Sequence, residues 1–255
     1  MAQALLFPLL DSGLLAEADV RAAVASAGSA ERLQRARPGV QVSTDAAAAW
    51  QCGAVLLAVK PQQLDAVAAA APAPTAAEPP LLISVLAGVT VARLQRLFPG
   101  WRIVRAVPNT PCLVRAGLTG LAWGDGVSAA QQVWVQQLFA QVGEVLELPE
   151  PQLDAFLALT SSGPAFIALV AEAMADGAVA SGLPRLQALH LAHRTLAGTA
   201  ALLQDQQLHP AQLKDMVSSP GGTTIAGIRV LEQRGLRAAL IEAVVAAAER
   251  SRQLG

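Results

Sequence analysis

Short, continuous apolar runs alternate with alanine-rich helical stretches between about residue 20 and residue 148. The strongest runs are Val55–Val59, Leu82–Leu86 and Ile103–Val107, and Leu118–Ala122 and Glu144–Leu148 are weaker ones. Continuous apolar strands separated by helices are typical of a parallel sheet that is covered on both faces. The first part of the chain is therefore predicted to be an α/β domain built on such a sheet.

The helix boundaries between these strands carry recognisable end signals. Thr90 is placed to cap a helix over Val91–Phe98, and Pro99-Gly100 ends it. Ser128 is placed in the same way to cap a helix over Ala129–Val142. A hydroxyl at the residue before a helix accepts a hydrogen bond from a free backbone amide of the first turn.

Strand signals vanish from Pro151 onward, and the pattern becomes helical. Helices are predicted at 152–160, 164–181, 184–205, 210–217, 223–234 and 236–252. Pro164 and Pro184 stand where the first turn of a helix tolerates proline. The sequence therefore divides into an α/β domain over 1–148 and an all-α domain over 149–255.

One predicted helix of the second domain has no polar face. Phe166–Ala171 is apolar on all sides, and such a helix must be buried on several sides. A domain of about 100 residues rarely supplies that burial alone, so we predict a subunit interface here. The alternative is an internal helix in the core of a monomer.

The chain opens directly on a helical pattern, at Met1–Leu6, and not on a strand followed by a glycine-rich turn. Residues 20–25 fit the next strand, and Ser26–Ser29 fit the loop after it. No G-x-G-x-x-G precedes any helix, although a doubly wound nucleotide domain usually has one. Taken alone, this opening does not identify a dinucleotide site.

Composition excludes several functional classes. Among 255 residues, 53% are hydrophobic and 15% are charged, which is too apolar for a disordered protein. The net charge of −1 argues against a nucleic-acid partner. The apolar stretch Ala155–Ala171 is interrupted at residues 160–164, so no membrane span is expected. Cys52 and Cys112 make neither a disulfide framework nor a zinc site, and no signal peptide is evident, so we expect a cytoplasmic protein.

Two motifs follow the first two strong strands. The segment Ala58-Val59-Lys60-Pro61 ends one strand, at the edge where doubly wound proteins bind ligands, although an ordinary strand exit explains it as well. Ala87-Gly88-Val89-Thr90 follows the next strand. Small residues there permit close backbone approach, and packing is an equal explanation.

A third motif, Pro108-Asn109-Thr110-Pro111, follows the third strand. The prolines fix the loop, and the Asn and Thr side chains offer hydrogen bonds. The adjacent Cys112 is expected to be a buried small residue and not a nucleophile, because no histidine lies near it in sequence. No metal site is expected, since the only histidines, His190, His193 and His209, lack companion ligands.

The most specific local motif is Ser218–Ile225, which contains Pro220, two glycines and two threonines at the start of a predicted helix. Backbone amides and hydroxyls can converge there on an anion such as a carboxylate. A plain helix–helix turn with a threonine cap is the alternative.

From Val55 to its end the sequence resembles the pyrroline-5-carboxylate reductase family. The resemblance rests on AVKP at 58–61, AGVT at 87–90, PNTP at 108–111, SSGPA at 161–165, ADGAVASGLPR at 175–185 and LKDMVSSPGGTTIAGI at 213–228. It departs from the family in having Ser161-Ser162 where members usually carry Gly-Ser. The resemblance implies a Rossmann-like nucleotide domain followed by a helical dimerisation domain.

The resemblance also implies roles for particular residues. Those lining NADPH or NADH would be Ala58, Val59, Lys60, Pro61, Ala87, Gly88 and Asn109. Those binding the substrate would be Ser219, Gly221, Gly222, Thr223 and Thr224. Among them Gly221, Gly222 and Thr223 would hold its carboxylate through backbone amides. Thr224 would in addition contact the ring nitrogen, as a hydrogen-bond partner and proton relay.

The function implied is the reduction of the cyclic imine 1-pyrroline-5-carboxylate to L-proline by a homodimer or larger oligomer. Two alternatives stay open: a non-catalytic dimeric remnant without cofactor, and a two-domain hydroxy-acid dehydrogenase. In the family the glycine-rich loop runs into a Met-Ala that matches Met1-Ala2. The first strand and its loop are therefore expected in roughly ten residues encoded upstream of Met1.

Overall fold

The computed structural model describes residues 2–76 and 78–254, so Met1, which the sequence places in the first helix, lies outside the described residues. The chain divides into two compact units. The first comprises Met1–Ser161 together with Ala247–Gly255, and the second comprises Ser162–Ala246.

The strands of the first unit confirm the five predicted apolar runs to within about two residues at each end. In chain order they are β1 (Arg21–Ala23), β2 (Gln41–Ser43), β3 (Ala54–Leu57), β4 (Leu81–Ser84), β5 (Arg102–Pro108), β6 (Gly117–Trp123) and β7 (Gly143–Glu147). β1 and β2 form a two-stranded parallel sheet, and β3 to β7 form a second sheet in that order. β2 escapes prediction because only one of its three residues is apolar.

The larger sheet is mixed, which corrects the expectation of a parallel sheet. β3, β4 and β5 are mutually parallel, whereas β6 runs antiparallel to β5. The connection 109–116 holds only a short 3-10 turn, Thr110–Val114, and a parallel return needs a crossover of a dozen residues or more. β7 is parallel to β6 because a helix connects them.

The α-helices that lie wholly within the first unit, among the residues described, are α1 (Ala2–Asp11), α2 (Ala27–Ala36), α3 (Leu64–Ala70), α4 (Val91–Leu97), α5 (Ala129–Ala140) and α6 (Leu153–Thr160). The predicted caps are confirmed, since Thr90 Oγ1 accepts from the Arg93 amide and Ser128 Oγ from the Gln131 amide. The expected loop at Ser26–Ser29 is wrong, because Ser26 caps α2 and the helix begins at once.

The sheet is covered on both faces, as predicted. Ile83 and Val104 lie in a core cluster with residues of α1 and α5, and Leu82 and Ile103 lie in a second cluster with residues of α3 and α4. Neighbouring residues of a strand point to opposite faces, so one apolar run supplies both clusters. A strand that is covered on both faces needs apolar side chains at successive positions, and this is why the apolar runs are continuous.

The second unit is all helical. It contains α7 (Gly163–Ala180), α8 (Arg185–Asp205), α9 (Pro210–Met216), α10 (Thr223–Gln233) and most of α11 (Leu236–Gln253). α7 and α8 pack through small side chains, Ala175, Ala188 and Ala192. The unit exposes many large apolar side chains, among them Ile167, Leu169, Met174, Leu186, Leu191, Met216 and Ile241. A unit with so much exposed apolar surface needs a partner.

The two packing units differ from the predicted division at 148 and 149. α6 belongs to the first unit because Leu153 is fully buried in a cluster with Val107 and Ala122 of the sheet. The last residues of α11 also belong to the first unit, from Ala247 onward. The division into 1–148 and 149–255 therefore stays a prediction about sequence segments. The compact units are instead separated after Ser161 and again after Ala246.

Among the described residues, one helical run, Glu150–Ala180, is long and apolar enough to span a membrane by length and composition alone. The run is not one continuous helix, because Ser161 and Ser162 separate α6 from α7. The apolar part of α7 ends at Glu172, which leaves it shorter than the ~20 apolar residues that a span needs. The run is therefore weak support for a membrane segment.

Candidate functional site

Three predicted motifs follow the carboxyl ends of three neighbouring parallel strands. Residues 58–61 follow β3, residues 87–90 follow β4, and residues 109–110 follow β5. Because β3, β4 and β5 are adjacent and parallel, their carboxyl ends meet at one edge of the sheet. The topology therefore places the motifs side by side where doubly wound folds bind ligands. We call this region the cofactor edge.

Lys60 is the exposed charge of the cofactor edge. Ala58 and Val59 leave the strand half-buried, Lys60 is exposed, and Pro61 begins a 3-10 turn over Pro61–Gln63. The Lys60 backbone amide lies 3.4 Å from Gln63 Oε1. Among the described residues, none of the ion pairs involves Lys60. Its ammonium group is thus free to meet an anion such as a phosphate.

Gly88 has a conformation that only glycine adopts easily. Its φ is +74°, and a Cβ added there would lie 2.8 Å from Leu254 Cβ and 2.9 Å from the Ser251 carbonyl oxygen. The small residue therefore permits a close approach, as the motif suggested, and the approaching group is the C-terminal segment of the same unit. Ala87 beside it is half-buried.

The Asn109 side chain is occupied by the protein itself. It is 4% exposed, its Nδ2 donates to the Thr160 carbonyl at 3.0 Å, and its Oδ1 accepts from the Leu118 amide at 2.8 Å. Ser161 Oγ donates to the Pro108 carbonyl at 3.3 Å. Asn109 therefore ties the loop after β5 to the end of α6. We expect it to shape the cofactor edge, and not to bind a cofactor through its amide.

Cys112 is fully buried, as predicted. Burial raises the pKa of its thiol, against the smaller opposing effect of hydrogen bonds from its neighbours. A raised pKa leaves less of the reactive thiolate at neutral pH. Both observations support the expectation that Cys112 is a packing residue.

The predicted substrate residues come together in one segment of the second unit, residues 219–224, which we call the substrate turn. The Gly222 amide donates to the Ser219 carbonyl at 3.0 Å, with Pro220 and Gly221 between them. Gly221 has φ +68°, which is the requirement of a type II turn with proline before it. A side chain at Gly222 would collide with the Ser219 side chain. The turn therefore depends on both glycines.

This turn presents the N-terminus of α10. The first backbone bond into the helix runs from the Ala226 amide to the Gly222 carbonyl at 3.3 Å, and Gly222 provides no side-chain cap. The amides of Thr223 and Thr224 precede that bond, so they point out of the helix end. Thr223 is exposed and Thr224 is half-buried. Converging amides at a helix N-terminus are suited to a carboxylate.

Sequence reasoning missed one buried charge. Arg105 lies in the middle of β5, is 1% exposed, and pairs with Glu150 and Asp154. The signal was present as the one charged residue within the apolar run Ile103–Val107. Within the described ranges no group of three or more His, Cys, Asp or Glu side chains could hold a metal ion.

Two family models match the chain. A model described as pyrroline-5-carboxylate reductase dimerisation matches residues 150–254. A model described as NADP oxidoreductase, coenzyme F420-dependent, matches residues 1–88. The first therefore covers the helical segment with the substrate turn. The second covers residues 58–61 of the cofactor edge in full and the first two residues of 87–90.

Individual proteins extend the similarity along most of the chain. A pyrroline-5-carboxylate reductase of Synechocystis is 50% identical over 217 residues, which are 85% of this chain and 80% of the relative. One of Methanosarcina acetivorans is 42% identical over 87% of this chain and 82% of the relative.

Solved structures agree with the fold. The Plasmodium falciparum pyrroline carboxylate reductase with NADP bound has a TM-score of 0.90 at 26% identity, over 99% of this chain and 94% of that one. The Coxiella burnetii pyrroline-5-carboxylate reductase has a TM-score of 0.87 at 32% identity, over 100% of this chain and 94% of that one.

Proposed function

This chain belongs to the pyrroline-5-carboxylate reductase family, and we propose on that basis how its residues divide the work of the reaction. The enzyme reduces 1-pyrroline-5-carboxylate to L-proline, the last step of proline biosynthesis. NAD(P)H, when bound, supplies the hydride that adds to the carbon of the C=N bond. The protein supplies position, electrostatics and a proton path to the ring nitrogen.

The cofactor edge is the proposed dinucleotide site. The described residues fit such a group because Ala58, Val59 and Ala87 present little bulk, and because Lys60 offers an unpaired ammonium group. Lys60 would pair with a phosphate, while Ala87 and Gly88 would border the nicotinamide. Asn109 and Thr110 would border the same site. Asn109 would do so by fixing the loop after β5.

The substrate turn is the observation that carries the proposed function. Gly221 and Gly222 let the chain turn so that amides at the start of α10 converge, and these would hold the substrate carboxylate, with Ser219 and Thr223 at the rim. Thr224 is half-buried in the first turn, and its hydroxyl would donate to or accept from the ring nitrogen. Thr224 is therefore the proposed catalytic residue, as a proton relay.

The cofactor preference proposed is NADPH over NADH. No carboxylate lies in residues 24–30, between β1 and the first turn of α2, and the next one, Glu31, is exposed. The side chains of Ser26, Ser29 and Arg32 cluster at the start of α2. Ser26 Oγ lies 3.1 Å from Ser29 Oγ, and Arg32 Nη2 donates to Ser29 Oγ at 2.9 Å. In doubly wound folds an acidic residue here favours the free ribose hydroxyls, and an arginine favours the 2′-phosphate.

The chain self-associates through its helical segment, which matches a dimerisation family. We propose that the substrate pocket also needs the helical segment of a neighbouring subunit, so that activity requires the dimer. Cytoplasmic location is proposed because both cysteines are free thiols, and no nucleic-acid or membrane partner is expected.

Imine-dependent oxidation of NADPH, followed by chromatographic detection of proline, tests this function. The purified chain is expected to consume NADPH only when the imine is present. Turnover of small 2-hydroxy acids, with no turnover of the imine, would favour the dehydrogenase alternative. That alternative needs a base in the helical domain, commonly a lysine, and the Lys214 ammonium group is exposed there, 3.5 Å from Asp215 Oδ1. Cofactor binding without turnover of either compound would favour a non-catalytic remnant.

A further inference from the structure

A buried charge network in the first unit is centred on Arg105. Arg105 Nη1 donates to Glu150 Oε1 at 3.1 Å, and Nη2 donates to Asp154 Oδ1 at 3.3 Å. Burying a guanidinium group is costly unless charged partners hold it, and these two carboxylates do so. Asp154 belongs to α6, and Glu150 lies in the 3-10 turn just before that helix.

Each carboxylate accepts a second hydrogen bond from another part of the chain. Glu150 Oε1 accepts from the Val91 backbone amide at 2.7 Å, at the start of α4. Asp154 Oδ1 accepts from Ser251 Oγ at 2.7 Å, near the end of α11. Arg105 therefore connects the N-terminus of α4 with the C-terminal segment.

Both ends of this network reach the same short segment of the cofactor edge. Glu150 holds Val91 from one side. At the other end, the C-terminal segment that Asp154 anchors through Ser251 fills the space above Gly88, where Leu254 and the Ser251 carbonyl approach most closely. Residues 88–91 are thus fixed at both ends, at Val91 by Glu150 and at Gly88 by the C-terminal segment. Both contacts are linked to Arg105 through its two carboxylate partners.

We propose that Arg105, Glu150, Asp154 and Ser251 are positioning residues for the cofactor. They fix residues 88–91 at the edge of the sheet, so that the C-terminal turn of α11 contributes to cofactor affinity without touching the cofactor. This inference rests on the proposed function, which places Ala87 and Gly88 beside the nicotinamide. If the network served only to stabilise the fold, its loss would lower the free energy of unfolding. Hydrogen exchange at residues 88–91 and the affinity for the cofactor would then stay unchanged.

Glu150 offers the sharpest test, because two variants separate its two roles. Glu150→Ala removes the acceptor for the Val91 amide and one partner of Arg105, whereas Glu150→Gln keeps an acceptor oxygen. Hydrogen exchange of the Val91 amide is expected to be roughly 10-fold faster in Glu150→Ala, and the NADPH dissociation constant roughly 3- to 10-fold higher. Glu150→Gln should recover most of both effects, and KM for the imine should stay unchanged.

A milder variant covers the case in which Glu150→Ala does not fold. Ser251→Ala removes one hydroxyl at the far end of the network, and it should raise exchange at residues 88–91 and the NADPH dissociation constant about 3-fold. Ser181→Ala is the matched control, because its hydroxyl donates only to the Gly177 carbonyl of its own helix. That control should leave both quantities unchanged.

The two readouts distinguish failure of the network from failure of the proposed function. Unchanged exchange at residues 88–91 in Glu150→Ala and Ser251→Ala would overturn the proposal, whether or not the parent binds NADPH. Faster exchange with an NADPH dissociation constant within two-fold of the parent would also overturn it. Faster exchange with weaker NADPH binding, in a parent that fails to reduce the imine, would support the network and contradict the assigned reaction.

Discussion

Thr223 and Thr224 are neighbours in sequence, yet the first turn of α10 gives them different surroundings. Thr223 is exposed at the helix end, and Thr224 is half-buried. A hydroxyl in a drier environment forms the stronger hydrogen bond, because water competes less for it. The difference in exposure is the reason to assign the ring nitrogen to Thr224 and the carboxylate rim to Thr223.

Thr224→Ala should lower kcat/KM for the imine by roughly 5- to 150-fold, which corresponds to a lost hydrogen bond of ~1–3 kcal/mol. NADPH affinity should stay constant, because the cofactor edge belongs to the first unit and Thr224 to the second. Thr223→Ala is the matched comparison, and it should mainly raise KM. Steady-state kinetics of the two variants decide the assignment. A kcat/KM within two-fold of the parent in Thr224→Ala would remove Thr224 from the mechanism.

Arg32→Ala should weaken the binding of NADPH far more than the binding of NADH. The guanidinium group is held by Ser29 Oγ at the start of α2, where a 2′-phosphate would gain a charge-assisted hydrogen bond. Such a bond is worth ~1.5–3 kcal/mol, so KM for NADPH should rise roughly 10- to 150-fold. Arg35→Ala, on the same helix one turn later, serves as the control. Equal losses for both cofactors would argue against a 2′-phosphate site here.

At the scale of elements, the sequence predicted what periodicity and caps encode. The three strand-end motifs and the turn before α10 were found because apolar runs, prolines and glycines mark their boundaries. The direction of β6 was missed because it depends on the length of the 109–116 connection, which an apolar run does not record. Arg105 was missed because its partners Glu150 and Asp154 are distant in sequence. Ion pairs between segments that are distant in sequence form only in the packed fold, so a local pattern does not reveal them.

Gly88→Ala tests how closely the C-terminal segment packs on the loop after β4. A Cβ would be strained at φ +74° and would press on Leu254 and the Ser251 carbonyl. We expect a loss of ~1–3 kcal/mol in the free energy of unfolding, measured by urea denaturation. Gly28→Ala, inside α2 with its nearest contact at 3.7 Å, should instead gain ~0.5–1 kcal/mol. Equal stability of the parent and Gly88→Ala would contradict the packing described.

For the whole molecule, the exposed apolar surface of the second unit is the dominant feature. The sequence predicted burial between subunits from the apolar stretch Phe166–Ala171, and Leu169 of that stretch is 67% exposed in the single chain. Packing within one chain cannot cover such a surface, so association with a second chain is the natural way to bury it. Self-association is therefore part of the stability of this fold.

Leu169→Glu should convert the oligomer to smaller species, because a carboxylate buried in an apolar interface is strongly unfavourable. Light scattering at micromolar concentration measures the change, and imine reduction should fall with it. Val133→Glu is the control, since Val133 is 51% exposed on α5 of the first unit. An unchanged mass for Leu169→Glu would place the interface elsewhere.

Hydride transfer to the imine carbon of 1-pyrroline-5-carboxylate is the step that defines the activity of this chain. Mass spectrometry of the product formed with NADPH deuterated at the transferring carbon of the nicotinamide tests that step. We expect L-proline carrying one deuterium at the former imine carbon, from the oligomeric enzyme. Absence of labelled proline, from an oligomer that demonstrably binds the cofactor, would contradict it.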